Sequence, residues 1–296
     1  MGYFLGGSPR GAKHRAILQL ELSKKALIHG GPIGYVERNV ADEFILETQG
    51  LTKEFKGFVA VNNVDLKVRR GHIHALIGPN GAGKTTFFNL LTKFLPPTRG
   101  TITYRGVDIT HEKPAQTARR GIVRSFQISA VFPHMTVLEN VRAALQRNLG
   151  TSFHFWKPES SLHPLHERAR QLLHDVDLQD FADELTVNLP YGRKRALELA
   201  TTMALEPDLM LLDEPTQGMG HEDVGRVTQL IKKVSIGRTI LMVEHNMNVV
   251  ASIADRISVL QRGAIIADGP YAEVSQNPQV IEAYMGSADT ELQGAH

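Results

Sequence analysis

The chain contains no cysteine among its 296 residues. That excludes disulfides, thiolate nucleophiles and any Cys-ligated zinc or iron–sulfur centre. It also lacks a strong charge of either sign, with 33 Lys and Arg against 31 Asp and Glu and a formal net charge of +2. Such a balance gives little support to nucleic acid as a partner, and none is expected. No apolar run reaches the roughly 18–20 residues that span a bilayer. The opening MGYFLGGSPRGAKHR has an apolar patch too short for a secretory signal, and Gly6 stands where N-myristoylation needs Ser or Thr. We therefore expect a cytosolic protein that reaches a membrane only by docking onto something that spans it. Internal repeats and low-complexity segments are also missing. What is present, 42% hydrophobic and 22% charged residues, suits one large globular domain or a core with a small appendage.

Residues 1–43 carry no strand pattern or motif. The stretch GAKHRAILQLELSKKALIHGGPIG can form one helix, ended by the Gly and Pro cluster at 30–34. A membrane-surface helix and a loosely ordered leader are both open, and the broken period of the apolar positions favours the leader. From residue 44 the pattern becomes regular. VNNVDLKVRRG alternates like a half-buried strand, HIHALIG is a short apolar run, and KTTFFNLLTKFL reads as a helix closed by Pro96 and Pro97. GTITYRGVDI and GIVRSFQ read as further strands. Between about 130 and 187 the texture turns helical, with TVLENVRAALQR and PLHERARQLLHDVDL. Alternation resumes with DLMLLDEP, EDVGRVTQLIKKV, RTILMVEH, MNVVASIA and RISVLQRG. This is an α/β core with a helical insertion.

The chemistry begins at GPNGAGKTT, residues Gly78, Pro79, Asn80, Gly81, Ala82, Gly83, Lys84, Thr85 and Thr86. An apolar strand precedes this stretch and a helix follows it, the context a phosphate-binding loop requires. Glycines let the backbone wrap an anion closely, and its N–H groups add to the helix N-terminus. Lys84 is expected to reach β- and γ-phosphates, and Thr85 to ligate Mg²⁺. A second requirement is met by LMLLDE, where an apolar strand ends in Asp213 and Glu214. Asp213 offers hard oxygen to Mg²⁺, and Glu214 is positioned to orient and polarise an attacking water.

With these motifs in place, residues 44 to about 286 resemble the ATP-binding subunits of ABC transporters, and the LivG type from branched-chain amino acid importers in particular. VRSFQ, FPHMTVLENV, LMLLDEPTQGM, LMVEHNM and NPQVIEAYMG carry that likeness. It implies an α/β P-loop NTPase core, an antiparallel β subdomain and an inserted helical subdomain at about 130–187, followed by a tail at 287–296. Phe55 matches an aromatic that stacks on adenine, with Phe58 as its rival. Gln127 matches a glutamine that joins the nucleotide site to the helical subdomain and serves the Mg²⁺ shell and catalysis. His245 matches a switch histidine. Leu189, Pro190, Tyr191, Gly192 and Arg193 stand at the signature, which completes the ATP site of the facing subunit.

The signature departs from the family's LSGGQ. Pro190, expected at the first helical position, removes a hydroxyl contact worth roughly 1.5–3 kcal/mol to a charged phosphate. Arg193 places a guanidinium where glutamine is usual and is positioned to compensate. Gly220 stands where an aspartate is common. The resemblance further implies a second ATP-binding subunit in a homo- or heterodimer, two membrane-spanning permease subunits, and indirectly a solute-binding protein. The expected location is the cytoplasmic face of the inner membrane, held peripherally. Urea or amide import, lipopolysaccharide export and a non-transport ATPase remain alternatives. His163 and His166 lack the carboxylates or cysteines of a metal site. His72 and His74 are expected to pack or face solvent, and Met203, Met210 and Met242 to lie in the core.

Overall fold

A computed structural model describes residues 43–125, 131–146 and 163–284 of the chain, with the side chains of His163 and Pro164 excepted. The leader, Gln127 and the tail at 287–296 therefore lie outside the described residues.

Two sheets organise the molecule. The first is four-stranded and antiparallel, in the order β2-β1-β4-β5. Its strands are β1 (Phe44–Phe55), β2 (Phe58–Arg69), β4 (Arg99–Tyr104) and β5 (Val107–Asp108). The second has six strands in the order β10-β9-β3-β8-β7-β6. It comprises β3 (Ile73–Ile77), β6 (Ile122–Ser125), β7 (Leu209–Asp213), β8 (Thr239–Val243), β9 (Arg256–Gln261) and β10 (Ala264–Gly269). β9, β3, β8, β7 and β6 run parallel, and β10 closes the edge antiparallel to β9.

The central strands are nearly continuous apolar runs because both faces are covered. Side chains alternate by face along each strand. Ile73, Ala75 and Ile77 of β3 join Met210, Leu212, Ile240 and Met242 in one core cluster. Leu76, Leu209, Leu211, Leu241 and Val243 belong to the other. The second cluster also takes in the buried Phe87 and Phe88 of α1 (Lys84–Leu91) and the inner face of the antiparallel sheet. The first is shared with α3 (Val137–Gln146), α4 (His163–Asp175), α5 (Tyr191–Met203), α6 (His221–Val234) and α7 (Met247–Ile253). Met203, Met210 and Met242 are buried there, as their apolar runs predict.

Short helices α2 (Pro114–Arg119) and α8 (Tyr271–Val274) complete the described set. β10 was not foreseen in the sequence, because its residues are mostly half-buried and give no clean alternation. The parallel arrangement has one functional consequence. The carboxyl ends of β9, β3, β8, β7 and β6 lie along one edge, where open α/β sheets form their sites.

Candidate functional site

The loop leaving β3 is shaped by its glycines. Gly78, Gly81 and Gly83 have φ of 152°, 75° and 103°. A Cβ on Gly78 would meet the Leu260 carbonyl oxygen at 2.1 Å, and one on Gly83 the Ala60 carbonyl oxygen at 2.3 Å. Only glycine fits between those two backbones. α1 then starts with no side-chain cap and no acidic residue in its first turn, so its N-terminal N–H groups and dipole are available to an anion. Lys84 Nζ donates to the Gly78 and Pro79 carbonyls at 2.7 and 2.9 Å, folded back across the loop. Burial lowers the Lys84 ammonium below its ordinary value, while the carboxylates of Glu214 and Asp213 oppose that shift. Thr85, next in line, is exposed.

Asp213 ends β7 as a buried carboxylate, 2% exposed. One oxygen, Oδ2, pairs with Arg124 Nη2 from β6, whereas Oδ1 is buried without a hydrogen-bond partner. An orphaned anionic oxygen beside a phosphate loop fits a hard divalent cation such as Mg²⁺. Glu214 follows at φ 48°, an uncommon conformation for a residue with a side chain. Its Oε1 lies 2.7 Å from His245 Nε2.

The loop bearing His245 is held from beneath by Glu244. Its Oε1 accepts the backbone N–H groups of His245 and Asn246 at 2.9 and 3.0 Å, and its Oε2 accepts the Thr216 hydroxyl at 2.8 Å. Glu214, Glu244, His245 and Asn80 border one cavity of about 440 Å³. Sequence reading missed Glu244 and Arg124. Glu244 had a readable signal, a charge directly after an apolar strand as in LMLLDE, whereas Arg124 sits inside β6 and had none. Tyr284 was also missed. Burial pushes its phenol up to about 12, against the pull of a hydrogen bond from the Gly78 backbone.

The other predicted residues do not line that cavity, although Tyr191 bonds one residue that does. Phe55 and Phe58 pair across the β1–β2 turn and both are exposed; Lys53 Nζ sits 5.1 Å from the Phe55 ring centroid. Pro190 is the N-cap of α5 rather than its first helical residue, and it offers no side-chain cap. Leu189 is buried, and a Cβ on Gly192 would meet Asp223 Oδ1 at 2.7 Å. The Arg193 guanidinium lies 3.7 Å from the centroid of the Phe181 ring. The Tyr191 hydroxyl donates to the Gln217 carbonyl at 3.3 Å and accepts from Arg195, whose Nη1 pairs with Glu198 at 2.6 Å. Gly220 caps α6. His166 Nε2 accepts a bond from Arg170 at 2.9 Å.

A groove of about 540 Å³ is lined by Phe94, Pro114, Arg124, Phe132, Ala144 and Glu198 among others. Phe94 and Phe132 are exposed.

A strand, a glycine loop, a helix N-terminus and a strand-end carboxylate define a P-loop nucleotide-binding protein. Comparison with known proteins narrows the class. The family model for "ABC transporter" matches residues 61–217, and that for "Branched-chain amino acid ATP-binding cassette transporter" matches residues 264–290. The chain is 41% identical over 251 residues to the high-affinity branched-chain amino acid transport ATP-binding protein BraF of Pseudomonas aeruginosa, covering 82% of this chain and 98% of that protein. It is 39% identical to the LivG counterpart of Escherichia coli K12, with the same coverage of both chains. Among solved structures, an ATP-binding cassette of an ABC transporter in its ADP conformation superposes with a TM-score of 0.72 at 30% identity, covering 82% of this chain and 99% of that one. A nucleotide-free ATP-binding cassette gives a TM-score of 0.71 at 29% identity, covering 81% and 98%. The chain belongs to the ABC transporter ATP-binding family, the ATPases of transporters.

Proposed function

We propose that this chain is the ATP-hydrolysing subunit of an importer for branched-chain or related amino acids. The observation that carries the catalytic part is the convergence of Lys84, Asp213, Glu214 and His245 on one sheet edge. The backbone N–H groups of residues 80–86 bind the phosphates, and Lys84 exchanges its two carbonyl contacts for β- and γ-phosphate oxygens. Phe55, or its neighbour Phe58, stacks on the adenine. Thr85 and the orphaned Oδ1 of Asp213, with Gln127, hold the Mg²⁺. When bound, that ion neutralises charge on the β- and γ-phosphates. Glu214 takes up a proton from the attacking water, and His245 holds Glu214 in place through the 2.7 Å contact. Glu244 sets the loop that carries His245.

The signature, Leu189 to Arg193, acts on the nucleotide of a second ATP-binding subunit, whether a copy of this chain or a different one. The ATP-binding domain spans 44–286, with the helical subdomain at about 130–187. Of two membrane-spanning permease subunits, one docks on this chain's apolar groove, which holds Phe94 and Phe132, and a solute-binding protein feeds the pair. The chain then sits peripherally on the cytoplasmic face of the inner membrane. Support for docking comes from the groove's apolar lining and from the described residues, where no helix is long and apolar enough to cross a membrane. The amino-acid class rests on the printed names of the relatives. The test is copurification of permease subunits with the tagged chain, followed by ATP-dependent uptake of labelled leucine in reconstituted vesicles. Retention of the subunits with uptake supports the reading. Failure to retain any membrane protein would remove the transport assignment.

A further inference from the structure

Arg124 occupies a position that the proposed function leaves unused. It is the penultimate residue of β6, in register with Leu211 of β7. Its guanidinium ties three elements together. Nη2 pairs with Asp213 Oδ2 at the end of β7. Nη1 donates to Asn89 Oδ1 at 2.6 Å, on α1, the helix that begins at Lys84. The planar group also lies 5.7 Å from the Phe88 ring centroid. The side chains of Arg124 and Asp213 are only 9% and 1% exposed. Burying a carboxylate that deep is costly without a hydrogen-bonded positive partner. Lys84 is close enough to feel that charge, but its Nζ donates to the Gly78 and Pro79 carbonyls and not to Asp213.

We propose that Arg124 is the positioning residue for the metal-binding carboxylate. It grips Oδ2 and fixes the rotation of the Asp213 side chain, leaving Oδ1 for the divalent cation. Its second bond, to Asn89, locks that carboxylate to the helix that carries Lys84 and Thr85, so the groups on both sides of the phosphates keep one spacing. A lysine has one charge but no fork, so it satisfies Asp213 or Asn89 but not both in a fixed plane. The proposal rests on the reading of this edge as an Mg²⁺–ATP site. Arg124 also lines the apolar groove, so a purely packing role is the competing explanation.

The experiment measures affinity for a fluorescent non-hydrolysable ATP analogue, with full-length chain, in EDTA and in Mg²⁺. In wild type, Mg²⁺ should tighten binding. Arg124→Gln should bind in EDTA within about two-fold of wild type, while the gain from Mg²⁺ should shrink about 10-fold or more, as for other groups that orient a metal ligand. Arg124→Lys should recover part of that gain. Adding Arg124→Gln to Asp213→Asn should cost little beyond Asp213→Asn alone, because both act through one carboxylate. If Arg124→Gln folds poorly, the Arg124→Lys and Asp213→Asn arms carry the comparison. Equal loss of binding in EDTA and in Mg²⁺ would assign Arg124 to packing, and an unchanged Mg²⁺ gain would overturn the proposal. A wild-type chain whose binding ignores Mg²⁺ would instead sink the underlying site reading.

Discussion

The sheet edge and the N-terminus of α5 are two polar regions of one chain, built on opposite plans. At the sheet edge, side chains from β6, β7 and β8 and the backbone of the β3 loop converge, and each has a fixed support. Asp213 is held by Arg124, Glu214 meets His245, and Glu244 braces the loop beneath. At α5 the polar groups serve the chain's own packing. Tyr191 bonds the Gln217 carbonyl, Arg193 lies over Phe181, and Pro190 supplies no cap. The difference teaches that phosphate handling is prepared within the chain. What α5 offers outward is mainly its helix terminus and backbone.

The largest effect is expected from breaking the first region. Lys84→Ala removes the loop's side-chain charge on the β/γ-phosphates and should abolish measurable hydrolysis, with ATP affinity sharply reduced in an equilibrium binding assay. Wild-type turnover would contradict the placement of the phosphates. His245→Ala should lower the rate by about 10²-fold, within the range for lost acid–base positioning, and leave nucleotide affinity nearly unchanged. A parallel loss of affinity would recast His245 as a binding group.

Smaller effects test what lies behind the edge. His74 is buried against Ser258, 2.8 Å away, near Asp268, Arg256 and His72. Burial pulls its imidazole down to about 4, with Asp268 opposing. Its folded pKa lies below the unfolded value of about 6.5, so neutral His74 supports the fold fully above that pH. That contribution, roughly 3 kcal/mol, should be lost as pH falls from 6.5 toward 4. His74→Gln should flatten the fall of urea midpoint between pH 7 and 5. An unaltered slope would place the acid sensitivity elsewhere.

The smallest effect belongs to α5. Arg193→Gln should cost about 0.5–1 kcal/mol of stability through the lost contact with Phe181. If Arg193 leaves that ring to serve the partner's phosphate, Pro190→Ser should rescue the ATPase loss in the assembled complex, with a coupling of roughly 0.5–3 kcal/mol. Strict additivity would keep Arg193 as a packing residue.

How far the sequence could be read follows from distance along the chain. The phosphate loop is contiguous, and its glycines and Lys84 are interpretable because strand, loop and helix adjoin. Asp213 and Glu214 were legible for the same reason, each closing an apolar strand. Arg124 was not, because its meaning depends on Asp213 and Asn89, brought near only when β6 pairs with β7 over α1. Glu244 likewise gains its role from Thr216 on another loop. His72 and His74 look alike in HIHALIG, yet only His74 lies within β3 and is buried, whereas His72 precedes the strand and is half-buried. Pro190 was assigned one position too late because helix ends blur by a residue or two.

The central claim is that Glu214 works on ATP at this chain's own sheet edge, with a facing subunit completing the site. Glu214→Gln keeps the shape and removes the charge that polarises water. With Mg²⁺ and ATP, light scattering during size-exclusion chromatography should show a stable ATP-bound dimer, formed with a copy of this chain or with its companion ATP-binding subunit. Hydrolysis should fall by about 10²–10⁴-fold. A variant that hydrolyses ATP at the wild-type rate and stays monomeric with every candidate partner would contradict the account.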